Sequence, residues 1–133
     1  MIIWLLNRYC SANGPVRKTK RHFVICDRYE VAVIPFPFAE IPVLKRRPVI
    51  VLSGRAFNTA NHSTLLVMIT STQLLPWPSD IVLNDLASAG LRVACRVRWR
   101  LTMVPNNLIA RKIGCLGGLD RLACERQLAD MIF

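Results

Sequence analysis

The densest candidate chemistry lies in "KRRPVIVLS", residues 45 to 53, where Lys45, Arg46 and Arg47 stand against Pro48 and a run of branched apolar side chains. A residue before proline is driven into the extended region, so Arg47 is held at a strand entrance instead of on a free loop. A guanidinium fixed there can bind two phosphate oxygens at once and stabilise the charge that builds on a pentacoordinate phosphorus. Permanently protonated, an arginine is a poor general base. The plainer reading is a solvated arginine or a local ion pair with Glu40. The second candidate, "ITST", ends an apolar run with consecutive hydroxyls on Thr70, Ser71 and Thr72. A hydroxyl donor beside a guanidinium makes a phosphate site, whereas a polar strand end leading into a loop would need no function. Phe36 and Phe38 of "PFPF", with Trp77 and Trp99, offer faces on which bases can stack, although packing explains each aromatic taken singly.

Absences narrow the chemistry. His22 and His62 are poorly placed for a serine–histidine–aspartate trio, and no HExxH or P-loop pattern is present. The eight acids are scattered, so the carboxylate cage of a metal-dependent phosphodiesterase is missing. Cys10, Cys26, Cys95, Cys115 and Cys124 show no CxxC spacing and no zinc pattern. They read as reduced thiols of a cytoplasmic protein. Neither metal nor cofactor is expected; arginines and hydroxyls must carry any catalysis.

Charge points to the partner. The chain of 133 residues has a formal charge of +10, and residues 1 to 22 hold Arg8, Arg17, Lys18, Lys20 and Arg21 without an acid. The remainder still sets 13 cations against eight acids, a net of +5, so the body is basic in its own right. That balance favours an anionic partner, RNA or DNA ahead of a membrane or an acidic protein. The opening "MIIWLLNRYC" is too short for a membrane span and lacks the charged start of a signal peptide. Residues 1 to 26 read as a basic N-terminal extension, partly disordered, and residues 27 to 133 as one domain.

The elements that must position these residues follow from periodicity and punctuation. "YEVAVIPF" alternates as a strand, and the four prolines of "PFPFAEIPVLKRRP" make an ordered loop. "VIVLS" and "TLLVMITST" are continuously apolar, as strands buried on both faces are. "GRAFNTANHS" reads as turn chemistry, "DIVL" as a short strand, and "NDLASAGL" as a short helix capped by Asn84 and closed by Gly90. "VACRVRWRL" alternates Val93, Cys95, Val97 and Trp99 with an arginine row that should face away from the core. "VPNN" reads as a turn and "LIARKIGCL" as a last strand. A C-terminal helix, with Gly118 at its N-cap, should pack Leu119, Leu122, Leu128, Met131 and Ile132 on the sheet. The sum is a mainly β fold: a small, partly open barrel with short helices and a C-terminal helix.

The segments "VAVIPFPF", "KRRPVIVLS", "FN", "VMITS", "WPSDIVL", "AGL", "RVRWRL" and "LIARKIGCL", in this order, resemble the MazF/PemK family of toxin endoribonucleases from bacterial toxin–antitoxin pairs. The resemblance implies an SH3-like barrel, a homodimer, and metal-independent cleavage of single-stranded RNA to 2′,3′-cyclic phosphate and 5′-hydroxyl ends. It makes Arg47, before the proline of the "RP" motif, and Thr70, in the "IT" strand, the catalytic pair. Phe36, Phe38, Lys45, Arg46, Ser71 and Trp77 would contact RNA, and the loop from about Phe36 to Arg46 would sit over a groove that a cognate antitoxin tail blocks. Two alternatives share the barrel: a gyrase poison of the CcdB kind, whose helix ends in Trp-Gly-Ile where this chain has "DMIF", and a catalytically inactive RNA-binding homologue. Tyr29 and Glu30 stand where the family opens its first strand with Gly-Asp, so the preceding turn is expected to differ.

Overall fold

In the computed structural model, which describes residues 24–36 and 45–133, six antiparallel strands form one curled sheet. They are β1 (Glu30–Phe36), β2 (Lys45–Val51), β3 (Ser63–Ser71), β4 (Ile81–Val82), β5 (Cys95–Pro105) and β6 (Arg111–Cys115), ordered β4-β5-β3-β2-β1-β6 across the sheet. Helices α1 (Arg55–Asn61), α2 (Leu86–Ala89) and α3 (Gly118–Ile132) fill the connections and the C-terminus. This is the partly open barrel that the alternation predicts. Its curl has a local cause. Opposite Val67 and Met68, β5 carries two extra residues, Trp99 and Arg100, and β6 carries one, Ile113, opposite Val31 and Ala32. Extra residues on one strand bend the ladder and raise its twist.

The central strands are covered on both faces, as their unbroken apolar runs require. Val31, Ile50, Val67, Ile69 and Val97 belong to one buried cluster, which α2 and α3 cover through Ala89 and Cys124. Ala32, Ile34, Val49, Val51, Leu66 and Met68 form a second cluster on the opposite face, with Cys26 and Val24 packed among them. Each fully buried valine, leucine or isoleucine among them contributes about 1.5–3 kcal/mol through burial. The packed chain therefore begins by Val24; the rest of the extension, with Phe38 and Glu40, lies outside the described residues. Among the described residues no helix is long and apolar enough to cross a membrane.

Several expectations change in three dimensions. Residues 55–61 form a helix instead of a turn, because Asn58 is fully buried and its amide donates to the carbonyls of Cys26 (2.9 Å) and Ser53 (3.1 Å). Polar residues that favour turns locally are recruited here into a buried hydrogen-bond knot. Strand β2 starts at Lys45, so Arg47 and Pro48 lie within it, and β5 runs through "VP" to Pro105. Asp85, not Asn84, caps α2, accepting from the Ser88 N–H at 3.1 Å.

The N-cap of α3 is Gly117 rather than Gly118, and the helix docks by a different face from the one its leucines predict. Leu119 is 80% exposed, and Leu122, Met131 and Ile132 are exposed too. Of the five expected residues Leu128 alone packs on the core, on one stripe with Asp120 and Cys124 at spacings of four. The Asp120 carboxylate accepts from the backbone N–H of Asn84 (3.1 Å) and Asp85 (2.9 Å), and this locks the first turn of α3 to the segment before α2.

The turn before β1 keeps a glycine-like shape without a glycine. Tyr29 sits at φ 67, which bulky residues rarely adopt. Its ring lies under the Arg121 guanidinium at 5.1 Å and its hydroxyl donates to Glu125 at 2.8 Å. Burial, then the Glu125 hydrogen bond, pushes its phenol up to about 12. Glu30 next to it pairs with Lys112 and Arg55.

Candidate functional site

The β2–β3 ladder runs from Val49↔Met68 to Val51↔Leu66 and begins immediately after Pro48, which has no N–H to donate. Before that point the two strands carry Arg46, Arg47 and Pro48 on one side and Ile69, Thr70 and Ser71 on the other. A cavity of about 420 Å³ opens there, with Val93 and Cys95 also in its lining. Continued by two residues, the ladder register sets Arg47 across from Thr70. The structure thus brings Arg47 and Thr70, separated by 22 residues in sequence, to one cavity.

The two differ in environment. Arg47 is partly exposed, while Thr70 is 7% exposed and its Oγ1 is buried without a hydrogen-bond partner. A buried hydroxyl left unbonded costs about 1–3 kcal/mol, so it is a group waiting for a ligand oxygen or a water. Cys95 also lines the cavity, but burial pushes its thiol above the ordinary range and keeps it neutral. No carboxylate or imidazole is among the described lining residues. What the cavity offers is guanidinium and hydroxyl chemistry, which suits a tetrahedral anion.

The other expected contacts divide. Arg46 is exposed and lines the cavity; Ser71 lines it too, with its hydroxyl accepting from the Gln73 N–H at 3.2 Å. Phe36 and Lys45 are backbone partners at the end of the β1–β2 ladder, and Phe38 lies outside the described residues. Trp77 is not part of the cavity lining. It lies under two guanidinium groups, with Arg98 at 4.8 Å and Arg100 at 5.0 Å from its ring centre. Its ring therefore works as a cation–π anchor for β5 arginines before it can serve any base.

Sequence reasoning missed the order within the arginine row. Arg96 and Arg98 do not face away from a core; they share the face of the second cluster and are largely buried. Asp80 explains how this is tolerated. Its carboxylate accepts from Arg98 Nη2 and the Trp77 N–H, each at 2.9 Å, and pairs with Arg96 at 3.9 Å. Only the spacing of two between Arg96, Arg98 and Arg100 hinted at this, and period two does not say which face a second core occupies.

Burial pushes the Asp80 carboxyl up, but the Arg98 hydrogen bond, the Trp77 N–H and the two arginine charges outweigh it and hold it below its usual range. A carboxyl depressed in the folded state stabilises at every pH above its unfolded value near 3.9, and that stability fades as pH falls through the folded value. Thermal melts from pH 6 down to pH 3 should show an acid-side loss that Asp80→Asn reduces. At pH 7 the same variant should cost about 1–3 kcal/mol, since it removes hydrogen bonds between charged groups.

Comparisons with known proteins agree with this architecture. Residues 27–132 match the profile of the PemK-like, MazF-like toxins of type II toxin–antitoxin systems. Curated protein sequences give no match. Among solved structures, the chain is similar to a MazE–MazF structure from Deinococcus radiodurans at TM-score 0.63 and 14% identity, over 82% of this chain and 96% of that one. It is similar to the Mycobacterium tuberculosis toxin MazF-mt6 at TM-score 0.61 and 18% identity, over 76% and 93% of the two chains. An endoribonuclease in complex with its cognate antitoxin, from a Mycobacterial species, gives TM-score 0.62 at 12% identity, over 80% and 91%. Identities this low speak for the fold; the profile match covers the sheet, the cavity and α3, and on it the chain belongs to the PemK-like, MazF-like toxin family of type II toxin–antitoxin systems.

Proposed function

We propose that this protein is the toxin of a type II pair and a metal-independent endoribonuclease acting on single-stranded RNA at the Arg47–Thr70 cavity. The observation that supports the reading is that Arg47 and Thr70, whose hydroxyl is buried without a partner in the protein, line one cavity. In the reaction the ribose 2′-oxygen attacks the adjacent phosphorus and the P–O5′ bond breaks. The 2′-hydroxyl loses its proton, the 5′-oxygen gains one, and the products are a 2′,3′-cyclic phosphate and a 5′-hydroxyl end. Arg47 would neutralise the charge on the equatorial oxygens and assist proton transfer, and Thr70 would hydrogen-bond the scissile group. Arg46, Lys45 and the wider charge of +10 would hold the flanking phosphates.

Cytoplasmic mRNA is the substrate class that fits, with the protein acting as a homodimer and a cognate antitoxin covering the groove. Purified protein incubated with single-stranded RNA in EDTA should yield fragments ending in cyclic phosphate. RNA binding without cleavage at any protein concentration would overturn the enzymatic reading and leave an inactive homologue. Growth arrest with DNA double-strand breaks, and RNA left intact, would favour a gyrase poison.

A further inference from the structure

The cavity at Arg47 and Thr70 has more wall than a phosphate needs. A tetrahedral anion asks for donors, yet half of the lining is apolar: Pro48, Ile69, Val93 and Cys95. Strand register sorts that lining into two groups, because successive side chains alternate between the faces of a sheet. Ile50, Ile69 and Cys95 belong to the cluster covered by α2 and α3, and Val49 and Met68 to the cluster on the other face. Arg46 and Pro48 therefore share the face of Ile69, whereas Arg47 and Thr70 share that of Val49 and Met68. Ser71 joins the first group, since it is paired directly with Cys95 across the β3–β5 ladder. Both groups border one space because the β2–β3 ladder ends at Val49.

The first group is composed as small-molecule sites are, an apolar wall with a few fixed polar atoms, in a cavity of about 420 Å³. Cys95 adds no charge to that wall, because burial keeps its thiol neutral. Val93 is exposed at the rim. Ser71 supplies the polarity. Its Oγ accepts from the Gln73 N–H at 3.2 Å, which occupies one lone pair and leaves the O–H to donate. No carboxylate or imidazole stands among the described lining residues to accept from an amino group.

We infer that Pro48, Ile69, Val93 and Cys95 seat a nucleobase beside the phosphate held at Arg47 and Thr70, and that Ser71 selects a keto base, uracil or guanine. This rests on the reading of the cavity as the RNA-cleavage site. A nucleobase is flat and apolar on its faces and polar at its edge, which the wall and the hydroxyl match. A hydroxyl that donates is satisfied by uracil O4 or guanine O6, but meets another donor at cytosine N4 or adenine N6. Arg46, exposed on the same face, is left for the flanking phosphates.

Amide NMR of the wild-type protein tests this with dinucleoside phosphates of deoxyribose, which lack the 2′-hydroxyl and so bind without being cleaved. Two matched pairs, uracil with cytosine and hypoxanthine with adenine, are compared beside dimethyl phosphate, which has no base. Dimethyl phosphate should shift the amides of Arg47 and Thr70 but not those of Val93 and Cys95. The dinucleotides should shift all four and bind about tenfold tighter, the gain from burying one flat ring face. Within each pair the keto member should bind about 2- to 10-fold tighter, the worth of one hydrogen bond. Ser71→Ala should erase that difference and keep the affinity for dimethyl phosphate.

Dinucleotides that leave Val93 and Cys95 unmoved, or that bind no tighter than dimethyl phosphate, overturn the base seat even where RNA is cleaved. Equal affinity within both pairs, or a keto preference that survives in Ser71→Ala, overturns the selection by Ser71. If the wild type cleaves no RNA while the dinucleotides bind as expected, the nuclease reading fails and the base seat stands.

Discussion

Arg47→Ala is expected to lower the single-turnover rate of RNA cleavage about a thousandfold while leaving the melting temperature within a few degrees of wild type. The kinetic loss corresponds to roughly 4 kcal/mol of transition-state stabilisation, the upper part of the range for removing one preorganised donor from a developing oxyanion. The small stability cost follows from position: Arg47 is partly exposed, and the apolar residues that hold β2, Val49 to Val51, are untouched. Arg47→Lys should regain a minor share, because an ammonium supplies charge without the two-pronged fit to phosphate.

Thr70→Val, close in shape, should slow cleavage by about two orders of magnitude, and Thr70→Ser should recover most of it by restoring the hydroxyl. Thr70→Val should not destabilise, and it can even raise the melting temperature, because it removes a buried hydroxyl that has no partner in the protein. Gain of stability with loss of activity is a pairing that a merely structural threonine would not give. Arg46→Gln, on an exposed side chain, should instead weaken RNA binding a few-fold and flatten its salt dependence, with the bound-state rate unchanged. Rapid-quench measurements of rate at saturating RNA, beside filter-binding affinities at two salt concentrations, separate these outcomes.

Asn58→Ala carries the largest expected effect on folding, about 3–5 kcal/mol, or a fall in melting temperature of roughly 10–20 °C for a domain of this size. Asn58 is fully buried at the centre of a polar knot. It donates to Cys26 and Ser53 carbonyls, accepts from the Ser53 hydroxyl, and its own carbonyl accepts from Asn106 Nδ2 at 2.8 Å. Asn106 in turn accepts from the Thr64 hydroxyl at 2.7 Å. Truncation leaves several buried groups unbonded at once, each costing about 1–3 kcal/mol. Asn61→Ala, on the exposed side of the same helix, should change stability by less than about 0.5 kcal/mol. The knot ties the start of β3 to the segment before β1, at the opposite end of the β2–β3 ladder from the cavity. Cleavage per folded Asn58→Ala molecule should therefore match wild type, which calorimetry and active-site titration together can establish.

Much of the architecture is local, and the sequence by itself determined it. The continuous apolar runs of β2 and β3 require strands covered on both faces, and the alternation of β1 and β5 marks them as strands, although both faces of β1 and of the first half of β5 prove to be covered. Pro48 sets the backbone of Arg47 whatever its surroundings, and the run Thr70–Ser71–Thr72 marks a strand end by composition alone. Those signals depend on a residue and its immediate neighbours, so they survive without coordinates. The tertiary structure decided everything that depends on pairing between distant segments. A register is needed to set Thr70 between Arg47 and Arg96, and a slip of one residue would turn each of these side chains to the other face. Tertiary hydrogen bonds convert "RAFNTAN" from a turn into a helix, and a buried carboxylate at Asp120 docks α3 by a face its leucines do not predict. Buried polar groups caused both surprises, because their cost or benefit depends on partners that lie far away in the chain. The cavity arises in the same way: its guanidinium and hydroxyl are written in two short motifs, but only the ladder that stops at Val49 brings them to one space.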